Sequence, residues 1–307
     1  MNICVVGAGA IGGWVAAKLA LAGNAVMALT SRGALSEIEL NEAAGTSKAE
    51  LTTFDGPADL LIVAVKATAL AAAAQTARPR IGPETIILPM LNGVPWWFID
   101  DVQLQSVDPD GSVACALPFE QIVGCVVHAS CSRSATGAVM VKHADKLIIG
   151  EPGGGPGERV ARLYALLDEA GLRPDITNNV RRTTWYKLWG NATINPLSAL
   201  VRSTCDKILA DSECRAWMLD GMTELAAIGA AAGCPISESG EERMAVTERL
   251  GSFKTSMLQD VEAGRPIELE ALLGAPREMA LRFGIATPAL DRLYGATKLM
   301  AEGLGLG

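Results

Sequence analysis

Three polar side chains recur at intervals of four residues near the middle of the chain. Lys187, Asn191 and Asn195 stand among apolar neighbours in the segment Trp185–Pro196. In a helix this spacing places one ammonium and two carboxamides on a single face. An ammonium there can stabilise developing negative charge and deliver a proton. A solvated helix face is the alternative that spacing alone leaves open.

A glycine-rich turn near the N-terminus is the second feature that could take part in binding or catalysis. It follows the apolar run Asn2–Val6 and precedes an alanine- and leucine-rich stretch, Ala10–Ala22. Strand, turn and helix in this order let backbone N–H groups approach a pyrophosphate at the positive end of the helix. A turn used only for packing is the alternative. The predicted dinucleotide-binding residues are Gly7, Ala8, Gly9, Ala10, Ile11 and Gly12.

The end of the next predicted strand indicates which dinucleotide would bind. An NAD-type site has Asp or Glu about 20 residues after the turn, whereas this chain has Ser31 and Arg32. A guanidinium with a neighbouring hydroxyl suits the 2′-phosphate of NADP(H), because it contacts the oxygens bidentately and stays charged. We therefore expect NADP(H) as the cofactor, with a solvated loop arginine as the alternative.

Other polar residues follow predicted strands or begin predicted helices. Lys66 comes directly after the buried strand Leu60–Val65, and ligands of α/β sheets bind at the carboxyl ends of strands. Lys66 is thus expected to point toward a cleft. A solvent-exposed lysine at the strand end, with no role in binding, is the alternative. Asn92 precedes glycine and on its own is more typical of a turn. Glu268 on its own is more typical of a charge at a helix start.

The order of predicted elements defines the fold class. Strands and helices alternate over the first part of the chain, which indicates a parallel sheet. Short β-rich pieces between Gly111 and Gly150 are typical of antiparallel edge strands, which we expect to close that sheet. From Val180 onward the periodicity is helical. The prediction is an α/β protein, with a Rossmann-type doubly wound sheet over residues 1–178 and an all-helical C-terminal domain over residues 179–307.

Composition excludes several classes of function. The chain of 307 residues has 26 Lys+Arg against 34 Asp+Glu and a net charge of −8, which argues against a nucleic-acid partner. No apolar stretch reaches the roughly 18 residues of a membrane span. Seven cysteines without a C-x-x-C pair favour a reducing, cytoplasmic setting. Two histidines, far from any paired thiols, predict no metal site.

In their order and spacing, the motifs resemble those of the ketopantoate reductase family over essentially the whole chain. Singly each motif is weak, whereas the set is highly specific. The set comprises the glycine turn at residues 7–12, Val65–Lys66, Leu91–Gly93, Lys187–Leu197, Ser256–Asp260 and Ile267–Glu268.

The resemblance implies that NADPH and an α-keto acid meet in a cleft between the two domains. It assigns Lys187 as the general acid and Glu268 as its partner. It also implies substrate or cofactor contacts for Asn92, Asn191, Asn195, Ser256 and Lys66. The reaction implied is reduction of the ketone of 2-dehydropantoate to pantoate, a step toward pantothenate and coenzyme A. A homodimer is one assembly that the sequence allows.

Two departures from the family pattern keep alternatives open. Leu91 stands where the family commonly has glutamine, and the run Val94–Phe98 is bulkier than expected. The adjacent Trp96 and Trp97 suit core or interface packing better than an aromatic platform. A reductase of a bulkier 2-keto acid is therefore one alternative. A non-catalytic, nucleotide-binding regulatory protein is the other.

Overall fold

The chain is organised as two compact units. The computed structural model describes residues 1–306. The first unit comprises Met1–Leu91 and Gly111–Thr183, and the second comprises Asn92–Asp110 and the residues from Thr184 onward. These units differ from the predicted ranges of 1–178 and 179–307. Asn92–Asp110 groups with the second unit because its apolar side chains, among them Phe98 and Leu104, belong to that unit's core.

The first unit contains the strands. Within residues 1–306 they are β1 (Asn2–Val6), β2 (Ala25–Thr30), β3 (Gly33–Ala34), β4 (Glu37–Glu42), β5 (Gly45–Glu50), β6 (Leu60–Val63), β7 (Ile86–Pro89), β8 (Gly124–Arg133), β9 (Val139–Gly150) and β10 (Pro174–Ile176). Its helices are α1 (Ala10–Leu21), α2 (Leu70–Ala77), α3 (Ser112–Ala116) and α4 (Glu158–Glu169), with 3₁₀ turns at Ala67–Ala69, Arg78–Arg80 and Phe119–Gln121.

The first sheet has the strand order β3-β2-β1-β6-β7. β1 pairs in parallel with both β2 and β6, and β7 is parallel to β6. All four residues of β6 are buried, as are Ile3–Val6 of β1, because strands of a parallel sheet are covered on both faces. The chain leaves β1 toward β2 on one side and later returns to β6 on the other. This arrangement confirms the predicted α/β fold class.

The predicted antiparallel pieces do not close the first sheet, so that expectation was wrong. β8 and β9 pair with each other and join a second sheet of order β10-β9-β4-β5, in which β8 lies beside β9. The hairpin of β4 and β5 supplies the partner that the sequence did not reveal, with Leu40 opposite Val139 of β9. Leu40 and Ile38 bury their side chains in the core of the first unit. The burial of Leu40 and Ile38 favours the pairing of β9 with the hairpin over a pairing of β8 and β9 with the first sheet.

The second unit is helical from Thr184 to residue 306, as predicted for the C-terminal domain, whereas its segment Asn92–Asp110 contains no helix. The first helix begins in the first unit, and the division falls between Thr183 and Thr184. No helix within residues 1–306 has both the length and the apolar character to cross a membrane. The helices are α5 (Val180–Val201), α6 (Cys205–Ala210), α7 (Ser212–Ala231), α8 (Gly240–Glu248), α9 (Ser256–Glu262), α10 (Ala275–Phe283) and α11 (Pro288–Leu304), with a π-helical turn at Glu270–Gly274.

The carboxylate of Glu278 in α10 accepts three hydrogen bonds from the segment Asn92–Asp110. Glu278 accepts hydrogen bonds from the backbone N–H groups of Gln105 and Ser106, at 3.0 and 2.9 Å, and from the Ser106 hydroxyl at 2.8 Å. Burial raises the pKa of the Glu278 carboxyl, but these hydrogen bonds and one from Arg282 outweigh burial and lower it below the usual 4.5. The ionised carboxylate therefore stabilises the second unit.

Replacing Glu278 with glutamine is expected to lower the free energy of unfolding by about 1–2 kcal/mol at pH 7, because a charged acceptor is lost. A carboxyl with a lowered folded-state pKa stabilises the fold above its unfolded value of 4.5 and loses this effect as the pH falls below it. Urea unfolding at pH 7 and at lower pH measures both effects. Glu302→Gln is the control, since Glu302 is exposed and 3.9 Å from Lys298. An equal loss in both variants would contradict the assignment.

Candidate functional site

The three glycines of the N-terminal turn have different surroundings. Gly7 has a φ of +94°, and a Cβ there would lie 2.6 Å from the carbonyl oxygen of Ala64. At Gly12 a Cβ would lie 2.2 Å from the Gly7 carbonyl oxygen, so this glycine permits close packing of α1 on the turn. At Gly9 a Cβ would meet only that same oxygen, at 4.0 Å. Gly9 therefore leaves open space in front of the backbone, where a ligand can approach closely.

The turn lies at the carboxyl end of β1, between β2 and β6. Because the chain passes to opposite sides of β1, this is the switch point at which open α/β sheets bind ligands. Gly9 is the N-cap of α1, and no side chain caps the helix. The first N–H groups of α1 thus lack a side-chain acceptor, and the helix dipole favours an anion in front of them. The residues at 7–12 fit the pyrophosphate of a dinucleotide.

Ser31 and Arg32 lie in the tight turn that joins β2 to β3. Both are exposed. The Thr30 hydroxyl fixes the turn, because it donates to the Gly33 carbonyl at 2.9 Å and accepts from the Arg32 N–H at 3.1 Å. Within residues 1–306 no carboxylate is paired with the Arg32 guanidinium. The structure therefore leaves a cation exposed where the sequence predicts the 2′-phosphate to bind.

Lys66 lies three residues after the end of β6. It is half-buried and begins the 3₁₀ turn Ala67–Ala69, in which the Lys66 carbonyl accepts the N–H of Ala69 at 2.9 Å. Val65 beside it packs against the glycine turn, since a Cβ at Gly7 would lie 2.5 Å from Val65 Cγ1. Lys66 is thus at the same edge of the sheet as the glycine turn.

Two tryptophans orient α5 in the second unit. The indole N–H groups of Trp185 and Trp189 donate to the carbonyls of Leu225 and Met222 in α7, at 3.1 and 2.7 Å. Gly229 of α7 makes room for this packing, since a Cβ there would lie 2.1 Å from Trp185 Nε1. At roughly 100° per residue, Lys187 and Asn191 point about 200° away from the two indoles. Burial of the tryptophans therefore directs the polar stripe to the other face of α5.

Lys187 and Asn92 form a direct contact in the second unit. Lys187 Nζ donates to Asn92 Oδ1 at 2.9 Å, and both residues are half-buried. The two residues are far apart in sequence, and the sequence alone favoured a simple turn at Asn92. The structure thus brings together two of the predicted site residues. The contact fixes the direction of the ammonium, which has three N–H bonds to direct.

The loop after Asn92 is bonded to a carbonyl near Glu268. Val94 N–H donates to the Ala271 carbonyl at 2.8 Å. Gly93 has a φ of +84°, and a Cβ there would lie 2.4 Å from the same oxygen. The glycine of the Asn-Gly pair is therefore required by the close approach of two backbones.

The π-helical turn Glu270–Gly274 explains why the Ala271 carbonyl accepts from the loop. Ala275 N–H bonds to the Glu270 carbonyl, one residue further back than in an α-helix. In the same register the next donor to Ala271 would be Pro276, which has no N–H. The Ala271 carbonyl is thus left open for the loop that carries Asn92. π-helical turns often occur at functional sites.

Glu268 is half-buried and directly precedes this helix. Its backbone carbonyl accepts the N–H of Leu272 at 3.2 Å, which begins the helical hydrogen bonding. Glu268 is therefore three residues from the carbonyl that holds the Asn92 loop. Its assignment as the partner of Lys187 stays a prediction.

A chain of buried hydroxyls connects the polar stripe to α9. Ser198 Oγ donates to the Asn195 carbonyl at 2.9 Å, and Ser198 also contacts the Thr255 hydroxyl. Thr255 caps α9 by accepting the N–H of Leu258 at 3.2 Å. Since the proton of Ser198 goes to Asn195, Thr255 is the donor in the contact with Ser198. The chain fixes Asn195, which is only 5% exposed, relative to Ser256, the exposed first residue of α9.

Sequence reasoning missed several residues that hold the site. Ser198 and Thr255 carried no signal beyond their being short hydroxyl residues beside predicted site residues. Pro276 was not singled out in the sequence, because its effect on the π register involves the distant Gly93 loop. Trp96, Trp97 and Phe98 are 5%, 4% and 1% exposed. Their burial agrees with the packing interpretation and not with an exposed aromatic platform.

Family models cover both parts of the chain. The model described as ketopantoate reductase PanE/ApbA matches residues 3–154. The model described as its C-terminal part, ketopantoate reductase PanE/ApbA C terminal, matches residues 179–301. The two matches include the glycine turn in the first and Lys187 in the second.

Individual relatives match over nearly the whole length. A 2-dehydropantoate 2-reductase of Mesorhizobium japonicum is 34% identical, and the alignment covers 98% of each chain. A crystal structure of a Ralstonia solanacearum protein, provisionally named a ketopantoate reductase, is 44% identical with a TM-score of 0.95, covering 100% of this chain and 99% of the other. A 2-dehydropantoate 2-reductase from Methylococcus capsulatus is 28% identical with a TM-score of 0.84 and the same coverage. The chain therefore belongs to the ketopantoate reductase family.

Proposed function

We propose that the protein reduces the ketone of a 2-keto acid with NADPH, and that 2-dehydropantoate is its preferred substrate. One observation carries the proposal: a half-buried ammonium, Lys187, is fixed by Asn92 on the polar stripe of α5. Membership of the ketopantoate reductase family supports the reaction class. The product is pantoate, so the proposed role is in pantothenate and coenzyme A biosynthesis. Seven cysteines without a C-x-x-C pair support a cytoplasmic setting.

Lys187 acts on the carbonyl oxygen of the substrate. When bound, the nicotinamide supplies a hydride to the ketone carbon. Negative charge develops on the oxygen as the hydride arrives, so an ammonium hydrogen-bonded there lowers the barrier and then donates its proton. Asn92 holds Nζ in one direction, and this reduces the reorganisation that the step needs. The carboxylate of Glu268 is proposed as the partner of Lys187.

The remaining substrate contacts are proposed to come from polar side chains of α5 and α9. Asn191 and Asn195 share the face of Lys187, and Ser256 directly follows Thr255, whose hydroxyl contacts Ser198. Carboxamides and hydroxyls can form hydrogen bonds with the oxygen atoms of such a substrate. Lys66 and Asn92 are proposed contacts at the strand ends. A homodimer, and the absence of nucleic-acid and metal partners, stay predictions.

The cofactor is proposed to be NADP(H), held by residues 7–12 and by Ser31 and Arg32. The open space at Gly9 and the uncapped start of α1 support a bound pyrophosphate. The exposed Arg32 of the fixed β2–β3 turn, with which no carboxylate among residues 1–306 is paired, supports a 2′-phosphate.

Replacing Arg32 with alanine is expected to weaken NADPH binding about 10- to 100-fold and leave NADH binding nearly unchanged, because charged hydrogen bonds to the 2′-phosphate are lost. Cofactor fluorescence titration measures both dissociation constants. Arg162→Ala, an exposed arginine of α4 in the same unit, is the control. If the wild type binds NADPH and NADH equally well, or if Arg32→Ala keeps the preference for NADPH over NADH, Arg32 does not bind the 2′-phosphate.

A screen of NADPH oxidation across 2-keto acids tests the proposed function. We expect the highest kcat/KM with 2-dehydropantoate. A bulkier branched or aromatic keto acid with a kcat/KM about tenfold higher, equivalent to about 1.4 kcal/mol, would overturn the substrate assignment. If none of the keto acids supports NADPH oxidation, the proposed reaction is wrong and a nucleotide-binding regulatory protein is favoured.

A further inference from the structure

An arginine of α8 lies directly against the helix that carries Lys187. A Cβ at Gly190 of α5 would lie only 2.5 Å from Nη2 and 2.8 Å from Cζ of Arg243. The guanidinium carbon is also 5.7 Å from the centroid of the Tyr186 ring. The guanidinium therefore lies across the surface of α5 in the space that a side chain at position 190 would fill.

No carboxylate compensates this guanidinium within residues 1–306. Its Nε is buried without a hydrogen-bond partner, and its Nη1 donates to the Thr247 hydroxyl at 3.0 Å. Burial lowers the pKa of Arg243, and the contact with Tyr186 opposes this only in part. The chain has eight more acidic than basic side chains, yet none is ion-paired with Arg243 in the part of the chain that the structure describes. A half-buried cation without a counter-charge is costly for stability.

The position of this cation relates it to the proposed site. Gly190 is three residues after Lys187 and directly before Asn191, and residues three apart are neighbours on a helix surface. Arg243 thus adds a second cation beside the turn of α5 that carries the Lys187 ammonium. An anion bound between the two cations would be attracted by both. A planar guanidinium matches the two oxygens of a carboxylate.

We propose that Arg243, seated on Gly190, binds the carboxylate of the 2-keto acid whose ketone lies against Lys187. This inference rests on the proposed function, and it adds a specificity-determining residue to it. Arg243 selects acids over neutral ketones, and Gly190 is required because any larger residue would displace the guanidinium. The cost of the uncompensated charge is recovered when the anion binds.

The test compares pantoate with its neutral primary amide as probes, on enzyme saturated with NADP⁺. Isothermal titration calorimetry on the wild type is expected to give tighter binding of pantoate than of the amide. In Arg243→Met, pantoate binding is expected to weaken about 10- to 100-fold, because a charge-assisted contact is lost, while binding of the amide stays nearly unchanged. Arg249→Met, an exposed arginine at the end of the same helix, is the control.

Thermal unfolding without ligand separates a binding role from a structural one. Removing a cation that has no counter-charge leaves Tm unchanged or raises it, so Arg243→Met is expected to unfold no earlier than the wild type. A lower Tm together with equal losses of pantoate and amide binding would show a structural role and overturn the proposal. Weaker NADP⁺ binding with intact pantoate binding would assign Arg243 to a cofactor phosphate and also overturn it.

Failure of the proposed Arg243 carboxylate site can be distinguished from failure of the proposed function. Suppose that no keto acid supports NADPH oxidation by the wild type, but that the wild type binds pantoate and Arg243→Met does not. The proposed function is then wrong, and the proposed carboxylate site is supported. If the wild type is an active reductase and Arg243→Met keeps its KM and its preference for pantoate over the amide, only the carboxylate site fails. Pantoate binding no tighter than amide binding in the wild type overturns the site in either case.

Discussion

Replacing Lys187 with alanine is expected to lower kcat at least about 100-fold, because the electrostatic stabiliser and the proton donor are removed together. NADPH affinity should change little, since the predicted contacts of its pyrophosphate and 2′-phosphate are in residues 7–12 and 31–32. The variant should fold normally, because the buried tryptophans on the opposite face of α5 are unaffected. Steady-state kinetics with the preferred keto acid and cofactor fluorescence measure the two properties.

Lys298 provides a matched control for this substitution. It is an exposed lysine of α11 in the same unit, so Lys298→Ala should keep the wild-type kcat. Asn92→Ala is an informative companion, since it removes the 2.9 Å contact to Nζ and leaves the ammonium in place. A loss of less than tenfold in Lys187→Ala would show that Lys187 is not the acid, and Lys66 would become the better candidate.

Replacing Gly9 with alanine is expected to weaken NADPH binding by about tenfold or more without lowering Tm, because the added methyl group occupies space that only a ligand would fill. The nearest atom to a Cβ at Gly9 is 4.0 Å away. Gly12→Ala should instead lower Tm as well, because its Cβ would lie 2.2 Å from the Gly7 carbonyl oxygen. Cofactor titration and thermal unfolding on both variants measure the difference.

The control for the glycine pair is Gly303→Ala in α11. Among residues 1–306, no atom lies within 4 Å of a Cβ there, so Tm should be unchanged or slightly higher and NADPH binding unaffected. If Gly9→Ala keeps full NADPH affinity, the turn is a packing device and the dinucleotide assignment to residues 7–12 is wrong.

Local patterns predicted those parts of the protein whose structure depends on near neighbours. The strand, glycine turn and helix at the N-terminus are specified by adjacent residues, and the structure has β1 and α1 at the expected positions. The stripe of Lys187, Asn191 and Asn195 follows from helical spacing alone. The stripe faces away from the core only if the opposite face of α5 is buried. The indoles of Trp185 and Trp189 bury that face, and they donate hydrogen bonds to α7.

Features that depend on distant partners escaped prediction. The hairpin of β4 and β5 consists mostly of polar and charged residues, and its turn has no Asn-Gly or Asp-Gly signal. Its strand character depends on pairing with β9, about a hundred residues away, so local propensity is a poor guide. The contact of Asn92 with Lys187 depends on the Ala271 carbonyl, whose availability follows from a π register that no local pattern announces.

The membership of Asn92–Asp110 in the second unit has a consequence for biosynthesis. This segment leaves the ribosome before Thr184, yet Phe98 packs against Trp185, with ring centroids 5.6 Å apart. At about 5–20 residues per second, Phe98 waits on the order of ten seconds for Trp185 alone, and longer for the rest of its core. During that interval the run Val94–Phe98, with three aromatic side chains, remains uncovered on the nascent chain. The same connectivity means that neither unit is obtained intact by cutting the chain once.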